Sequence, residues 1–160
     1  MGKQSAGLML YRVAPAGSEI EVLLVHPGGP FWRNKDEGAW TIPKGEFDER
    51  EEPLEAAKRE FKEELGSPAP DGDYFSLGSI KQKGGKTVQA WAVNGDFDPA
   101  ALDSNTFTCE WPPNSKRMQE FPEVDRAEWF TPEVAKRKIL PSQVPLIDGL
   151  LEMKCQKPDR

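Results

Sequence analysis

The sequence predicts an α/β fold of the α+β kind, a mixed β-sheet with helices packed on it, and two observations carry that expectation. Short apolar runs bounded by Gly, Pro and Asp recur over residues 5–13, 20–25, 74–80 and 87–93, at strand length. Between them, residues 53–65 place apolar side chains at helical spacing. A chain of 160 residues suits one domain with a real hydrophobic core, so a single domain over 1–160 is expected. The hydrophobic share of 37% is modest, and 15 Pro with 14 Gly imply many loops.

Residues Ser5–Val13 alternate as a strand, and Pro15–Gly17 turns the chain into a second apolar run, Ile20–Val25. The pair reads as a hairpin opening the sheet. His26-Pro27-Gly28-Gly29-Pro30-Phe31-Trp32 then breaks the pattern. It is either a structural loop or an aromatic lip on a substrate pocket, with His26 or Trp32 touching the ligand.

The helix over 53–65 has clear ends. Pro53 suits a first turn, where a missing N–H costs nothing, and Glu51 and Glu52 favour the positive N-terminus. Gly66 is a natural stop and Pro68 prevents continuation. Leu54, Ala57, Phe61 and Leu65 fall on one arc, with Glu60, Glu63 and Glu64 on the arc beside it. Carboxylates so gathered repel one another by about a few tenths of a kcal/mol per solvated pair, and by more when partly buried. The cluster is either a solvated acidic face or a grip on a divalent cation.

Beyond the helix, Asp71-Gly72 makes a turn, and Tyr74–Ile80 and Thr87–Val93 read as strands joined through Lys81, Lys83 and Lys86. Those lysines form a solvated hairpin tip or a phosphate-facing patch. Asp96–Asn105 is a polar connection without periodicity. Phe107–Trp111 reads as a short strand, followed by the basic loop Pro112–Arg117. Trp111 is either core or a platform for a base, and Lys116 and Arg117 are placed to clamp phosphates. Phe121–Phe130 reads as one late strand. Thr131 and Pro132 begin a helix, and Ser142 opens a final one carrying Leu146, Ile147, Leu150 and Leu151. Lys154–Arg160 is expected to fray.

Bulk chemistry narrows the partners. The formal charge of −6 argues against a stable, nonspecific nucleic-acid complex, though not against a phosphorylated small molecule bound through cations. With one His and two Cys in the chain, any metal must be held mainly by oxygen, which favours Mg²⁺ or Mn²⁺. Cys109 and Cys155 form no C-x-x-C pair and read as reduced thiols. No apolar run approaches the roughly 20 residues that span a bilayer, so no membrane partner is expected. The N-terminus lacks a signal-peptide core, so a cytoplasmic protein is expected.

Gly45, Glu51, Arg59-Glu60, apolar Phe61, Glu63-Glu64 and Gly66 together fit G-x5-E-x7-R-E-U-x-E-E-x-G-U, with U apolar; only the last U departs, being Ser67. Over residues 45–67 the chain therefore resembles the Nudix hydrolases. The resemblance implies a Nudix fold, a mixed sheet sandwiched between helices, and an Mg²⁺-dependent pyrophosphohydrolase. It makes Glu63 and Glu64 primary metal ligands and lets Glu60 bridge metals or accept a proton. Arg59 then orients Glu60 or pairs with Glu51, and Gly45 lets its backbone approach the metal.

Trp40-Thr41-Ile42-Pro43-Lys44-Gly45 is similar to runs in family members acting on nucleoside, dinucleoside and diphosphoinositol polyphosphates, and Lys44 can meet phosphate. Lys86-Thr87-Val88 followed by Trp91 resembles a strand of diadenosine tetraphosphate hydrolases, although Ala90 stands where a tyrosine is usual. An acid about six positions before Trp129 reaches the metals in relatives. That picks Glu123, with Glu120 its rival, and leaves the general base between Glu60 and Glu123. A nucleoside or dinucleoside polyphosphate is the expected substrate. The rivals are a diphosphoinositol polyphosphate, an RNA 5′-pyrophosphate, or binding without catalysis. Many relatives dimerise, so a homodimer fits the resemblance.

Overall fold

The computed structural model describes residues 4–14, 19–82 and 84–156. The expected Pro15–Gly17 turn and Lys83 lie outside these residues. The strands are β1 (Gln4–Val13), β2 (Ile20–Pro27), β3 (Lys44–Glu46), β4 (Tyr74–Lys81), β5 (Thr87–Asn94), β6 (Thr106–Glu110), β7 (Met118–Pro122) and β8 (Val124–Phe130). The helices are α1 (Pro53–Leu65), α2 (Pro132–Lys138) and α3 (Val144–Gln156). The order across the main sheet is β4-β5-β1-β2-β8, with β3 also paired to β1, while β6 and β7 form a separate ribbon. β1 runs antiparallel to β2 and parallel to β5, so the sheet is mixed.

Alternation along the strands divides the core in two. Met9, Tyr11, Val22, Leu24, Ala90 and Ala92 face α2 and α3, where Trp40, Ile139 and Leu150 complete one cluster. Leu8, Leu10, Leu23, Val25 and Val93 face the other way, against Ala57, Phe61 and Leu65 of α1. Period-two strands place successive side chains on opposite faces, so one set of strands serves helices on both sides. The helical stripe behaves as expected, and Ala56, Ala57, Phe61 and Leu65 are buried. Gly66 caps α1 in the left-handed conformation, φ 82°, with its N–H donating to Lys62 O.

Phe61→Ala is expected to cost about 3–5 kcal/mol, since Phe61 is 1% exposed and its neighbours cannot fully collapse into the void. Urea unfolding monitored by far-UV CD measures this. A cost near zero would mean that the α1 face is not a packed core.

Four local expectations are corrected. Phe121–Phe130 is not one strand: β7 ends at Pro122 and β8 starts at Val124. Glu123 at the break bonds away from both ladders, its N–H donating to Asn105 O and its carbonyl accepting from Gly28 N. Ser142 does not open the last helix; it lies within the 3-10 turn Pro141–Gln143 that precedes α3. That turn buries Gln143, whose Oε1 accepts from Ile42 N. Thr131 occupies the α2 N-cap position, but its side chain makes no capping bond. Of the tail expected to fray over Lys154–Arg160, Lys154 belongs to α3, with its ammonium 5.2 Å from the Tyr11 ring centroid, and 157–160 lie outside the described residues.

Candidate active site

The site is assembled where β3 meets α1. β3 pairs with β1 in antiparallel register, Gly45 opposite Ala6, and this fixes Gly45 beneath the helix. A Cβ on Gly45 would lie 2.0 Å from a carboxylate oxygen of Glu60. Only a glycine lets that carboxylate rest against the strand.

Arg59 is the hub of the acids. Its Nε and Nη2 donate to the two oxygens of Glu51 at 2.8 and 2.9 Å, a bidentate pair. Nη1 donates to Glu60 Oε2 at 2.6 Å and also reaches Glu63 at 3.3 Å, while Nη2 reaches Glu46 O. Arg59 thus both pairs with Glu51 and orients Glu60, joining the two alternatives left by the sequence. Its guanidinium holds the Glu51 carboxyl below the usual range.

Glu60, Glu64 and Glu123 are pushed the other way. Burial raises Glu60, and Glu63 and Glu123 add to the rise against the opposing Arg59. Glu64 is pushed up to about 8, first by burial and then by the Glu60 charge; Lys44 opposes this through its ammonium and backbone N–H. Glu123 is raised by burial and by Glu63. Burial and the neighbouring Lys86 lower the Lys44 ammonium. Carboxylates crowded enough to resist ionisation together store repulsion that a cation relieves.

Glu123 reaches this cluster through a strap that the sequence disguised as a polar connection. Asp103 N–H donates to Leu65 O, Asn105 N–H to Glu63 O, and Glu123 N–H to Asn105 O. Ser104 Oγ accepts from Val124 N at 3.0 Å. The end of α1 and the β7–β8 junction are therefore stitched together through residues 103–105. Ser and Asn, which commonly bond nearby backbone, were the available signal.

Beside the acids lies a cavity of about 240 Å³, lined by Trp32, Ile42 and Leu140 together with Lys44, Glu64 and Glu123. Trp32 borders this cavity. His26 does not: it is fully buried, with Nδ1 2.7 Å from Asp125 Oδ1 and Nε2 2.7 Å from Lys35 O. Its role is to anchor the 27–35 loop. Glu120 is exposed on the ribbon and accepts a bond from Thr106 Oγ1. Trp111 lines a different concavity, and Lys116 and Arg117 are exposed near the ribbon tip; none of the three lines the cavity with the acids. Lys86, from the lysine-rich turn, pairs with Glu46 at 3.2 Å.

The donor chemistry fits a hard divalent cation, since Glu60, Glu63, Glu64 and Glu123 offer carboxylate oxygens to one another's neighbourhood. Among the described residues no three such side chains converge as a finished ligand set. Arg59 stands between Glu51, Glu60 and Glu63.

The sequence model of the NUDIX domain matches residues 6–150. The chain belongs to the Nudix family, and it is a hydrolase acting on phosphorus-containing acid anhydrides. It is similar to a C. elegans Ap4A hydrolase solved as a binary complex, with 26% identity over 97% of this chain and 99% of that one, at a TM-score of 0.62. The NUDIX domain of Shewanella oneidensis NrtR, solved with ADP ribose, shares 16% identity over 96% and 89% of the two chains, at 0.65. A MutT/nudix protein from Listeria innocua shares 17% over 96% and 94%, at 0.63. The latter two likenesses bear on fold alone. No curated protein sequence matches the chain. Among the described residues, no helix is long and apolar enough to cross a membrane.

Proposed function

We propose that the chain, a single Nudix domain over 1–160, uses Mg²⁺, or Mn²⁺ in its place, to cleave a phosphoanhydride in a nucleoside or dinucleoside polyphosphate. The cavity carries this reading: an indole, aliphatic side chains and the charged Lys44, Glu64 and Glu123 line the same space. A base against Trp32 would bring its phosphates to Lys44 and the acids. The 26% identity with an Ap4A hydrolase over nearly the whole of both chains supports the same substrate class.

Glu63 and Glu64 hold the ion, with Glu60 beside them and the Gly45 backbone close by. When bound, Mg²⁺ neutralises phosphate charge, polarises phosphorus and carries the attacking water. Arg59 holds Glu60 in place, and Lys44 contacts the phosphates. The proton from water passes to Glu60 or Glu123, both carboxylates whose affinity for a proton is raised. A cytoplasmic setting fits the free Cys109 thiol.

A product-resolved panel of phosphoanhydrides, run with Mg²⁺ and with EDTA, tests the reading. Turnover of nucleotides that stops in EDTA is expected; turnover of diphosphoinositol polyphosphates or of RNA 5′-pyrophosphates alone would overturn the substrate class. Trp32→Ala should raise KM about tenfold or more with little change in kcat, the size of one lost base–aromatic stack. Glu60→Gln and Glu123→Gln at saturating Mg²⁺ separate the two bases, because a loss confined to KM removes that residue from the chemical step.

A further inference from the structure

We propose that the concavity between the 29–33 loop and the β6–β7 ribbon is a second nucleotide site, separate from the cavity at the acids, that takes a nucleoside 5′-phosphate. It measures about 540 Å³, against about 240 Å³ for the cavity at the acids. The two are lined by consecutive residues of the same segments. Trp32, Glu123 and Val124 line the first, while their chain neighbours Arg33, Pro122 and Asp125 line the second. Those segments are in close contact: Gly28 N–H donates to Glu123 O at 2.9 Å, and a Cβ on Gly28 would lie 2.0 Å from Pro122 O.

The lining supplies the parts that a nucleotide needs. Trp111 is partly exposed: Phe31 meets its ring edge-on at 5.5 Å, while its backbone is fixed by the N–H donating to Arg117 O and the carbonyl accepting from Gln119 Nε2 at 2.7 Å. A partly exposed indole on a fixed backbone offers a stacking platform for a base. Arg33 also lines the concavity, and its guanidinium has no ion-pair partner among the described residues. A planar cation of this kind matches phosphate. The acid in the lining, Asp125, has one of its oxygens, Oδ1, 2.7 Å from His26 Nδ1.

The occupant is either the far nucleoside of a dinucleoside substrate or a free mononucleotide acting as an effector. Both present an aromatic base and a phosphate. The site rests on the nucleotide reading above only for the first of these sources.

AMP is the probe, titrated calorimetrically into the full chain in EDTA, so that binding is read without turnover and without metal-bridged phosphate. Wild-type protein should bind AMP. Trp111→Ala should weaken binding about tenfold or more, and Arg33→Met, which leaves the ribbon untouched, about fivefold. No binding up to about 10 mM AMP, a millimolar Kd being the weakest affinity worth the name of a site, would overturn the proposal. So would binding unaltered by Arg33→Met, whatever Trp111→Ala does. Kinetics with Mg²⁺ then separate the sources. If the variants lower kcat/KM for diadenosine tetraphosphate but not for ATP, the site holds the far end of the substrate. If neither substrate is affected and AMP alters the wild-type rate, the site holds an effector. Absence of any phosphoanhydride turnover would sink the proposed function and leave the AMP binding result standing.

Discussion

Glu64→Gln should lower kcat on the order of 10²–10³-fold, the loss seen when one preorganised charge-stabilising group is removed, and should at the same time stabilise the metal-free protein at alkaline pH. The two effects have one cause. Glu64 is partly buried among Glu60 and Glu123, and its carboxyl is pushed up to about 8 from an ordinary value of 4.5. A folded-state pKa raised above the unfolded one means that folding takes up a proton. That contribution to stability is fully present below about 4.5 and is lost as pH rises through about 8.

Melting in EDTA should therefore show a Tm that declines across this window in wild-type protein, and a shallower decline in the neutral isostere. Adding Mg²⁺ at pH 9 should raise the wild-type Tm well beyond that of the variant, because the ion binds the folded state through the carboxylate that Gln lacks. A variant that keeps full kcat would remove Glu64 from the metal set. One equally steep in its pH decline would locate the repulsion elsewhere.

Gly45→Ala should damage both activity and stability. The added methyl would sit 2.0 Å from one Glu60 carboxylate oxygen and 2.5 Å from the other, so the side chain must move. Forcing an atom into packed space costs about 1–3 kcal/mol, and a shift of about 1 Å in a reacting group costs about 10²-fold in rate. Glu60 cannot swing freely, since Arg59 holds its Oε2 at 2.6 Å and is itself pinned by both oxygens of Glu51. Displacement should therefore disturb the whole Arg59 network. The decisive readouts are kcat/KM and Tm: loss of both is expected, and unimpaired turnover would show that Glu60 need not lie against β3.

Much of this architecture was legible in the chain. The α1 stripe, its Pro53 start and its Gly66 stop are local matters, decided by helical period and by backbone freedom at one residue. So are the strands β1, β2, β4 and β5, whose ends fall within a residue or two of the turn signals. The acids of α1 were likewise visible, because spacing on a helix fixes which side chains are neighbours. Expectations failed where long-range bonds override local preference. The run 121–130 has the composition of one strand, yet Asn105 and Gly28 claim the Glu123 backbone and split it. Ser142 has the chemistry of a helix start, yet the need of Ile42 N for a buried acceptor draws Gln143 inward and sets the turn before α3.

The sequence by itself determined the family, the gathering of Glu60, Glu63 and Glu64 on one helical edge, and the alternation that gives the sheet two buried faces. Periodicity and covalent neighbourhood are enough for these, because residues three, four or two apart have no choice about their relative placement. Only the tertiary structure decided that Trp32 and not His26 borders the cavity at the acids, that Trp111 and Arg33 belong to a different concavity, and that residues 103–105 bind Glu123 to the end of α1. These depend on which segments distant in sequence meet, and neither periodicity nor covalent neighbourhood fixes that.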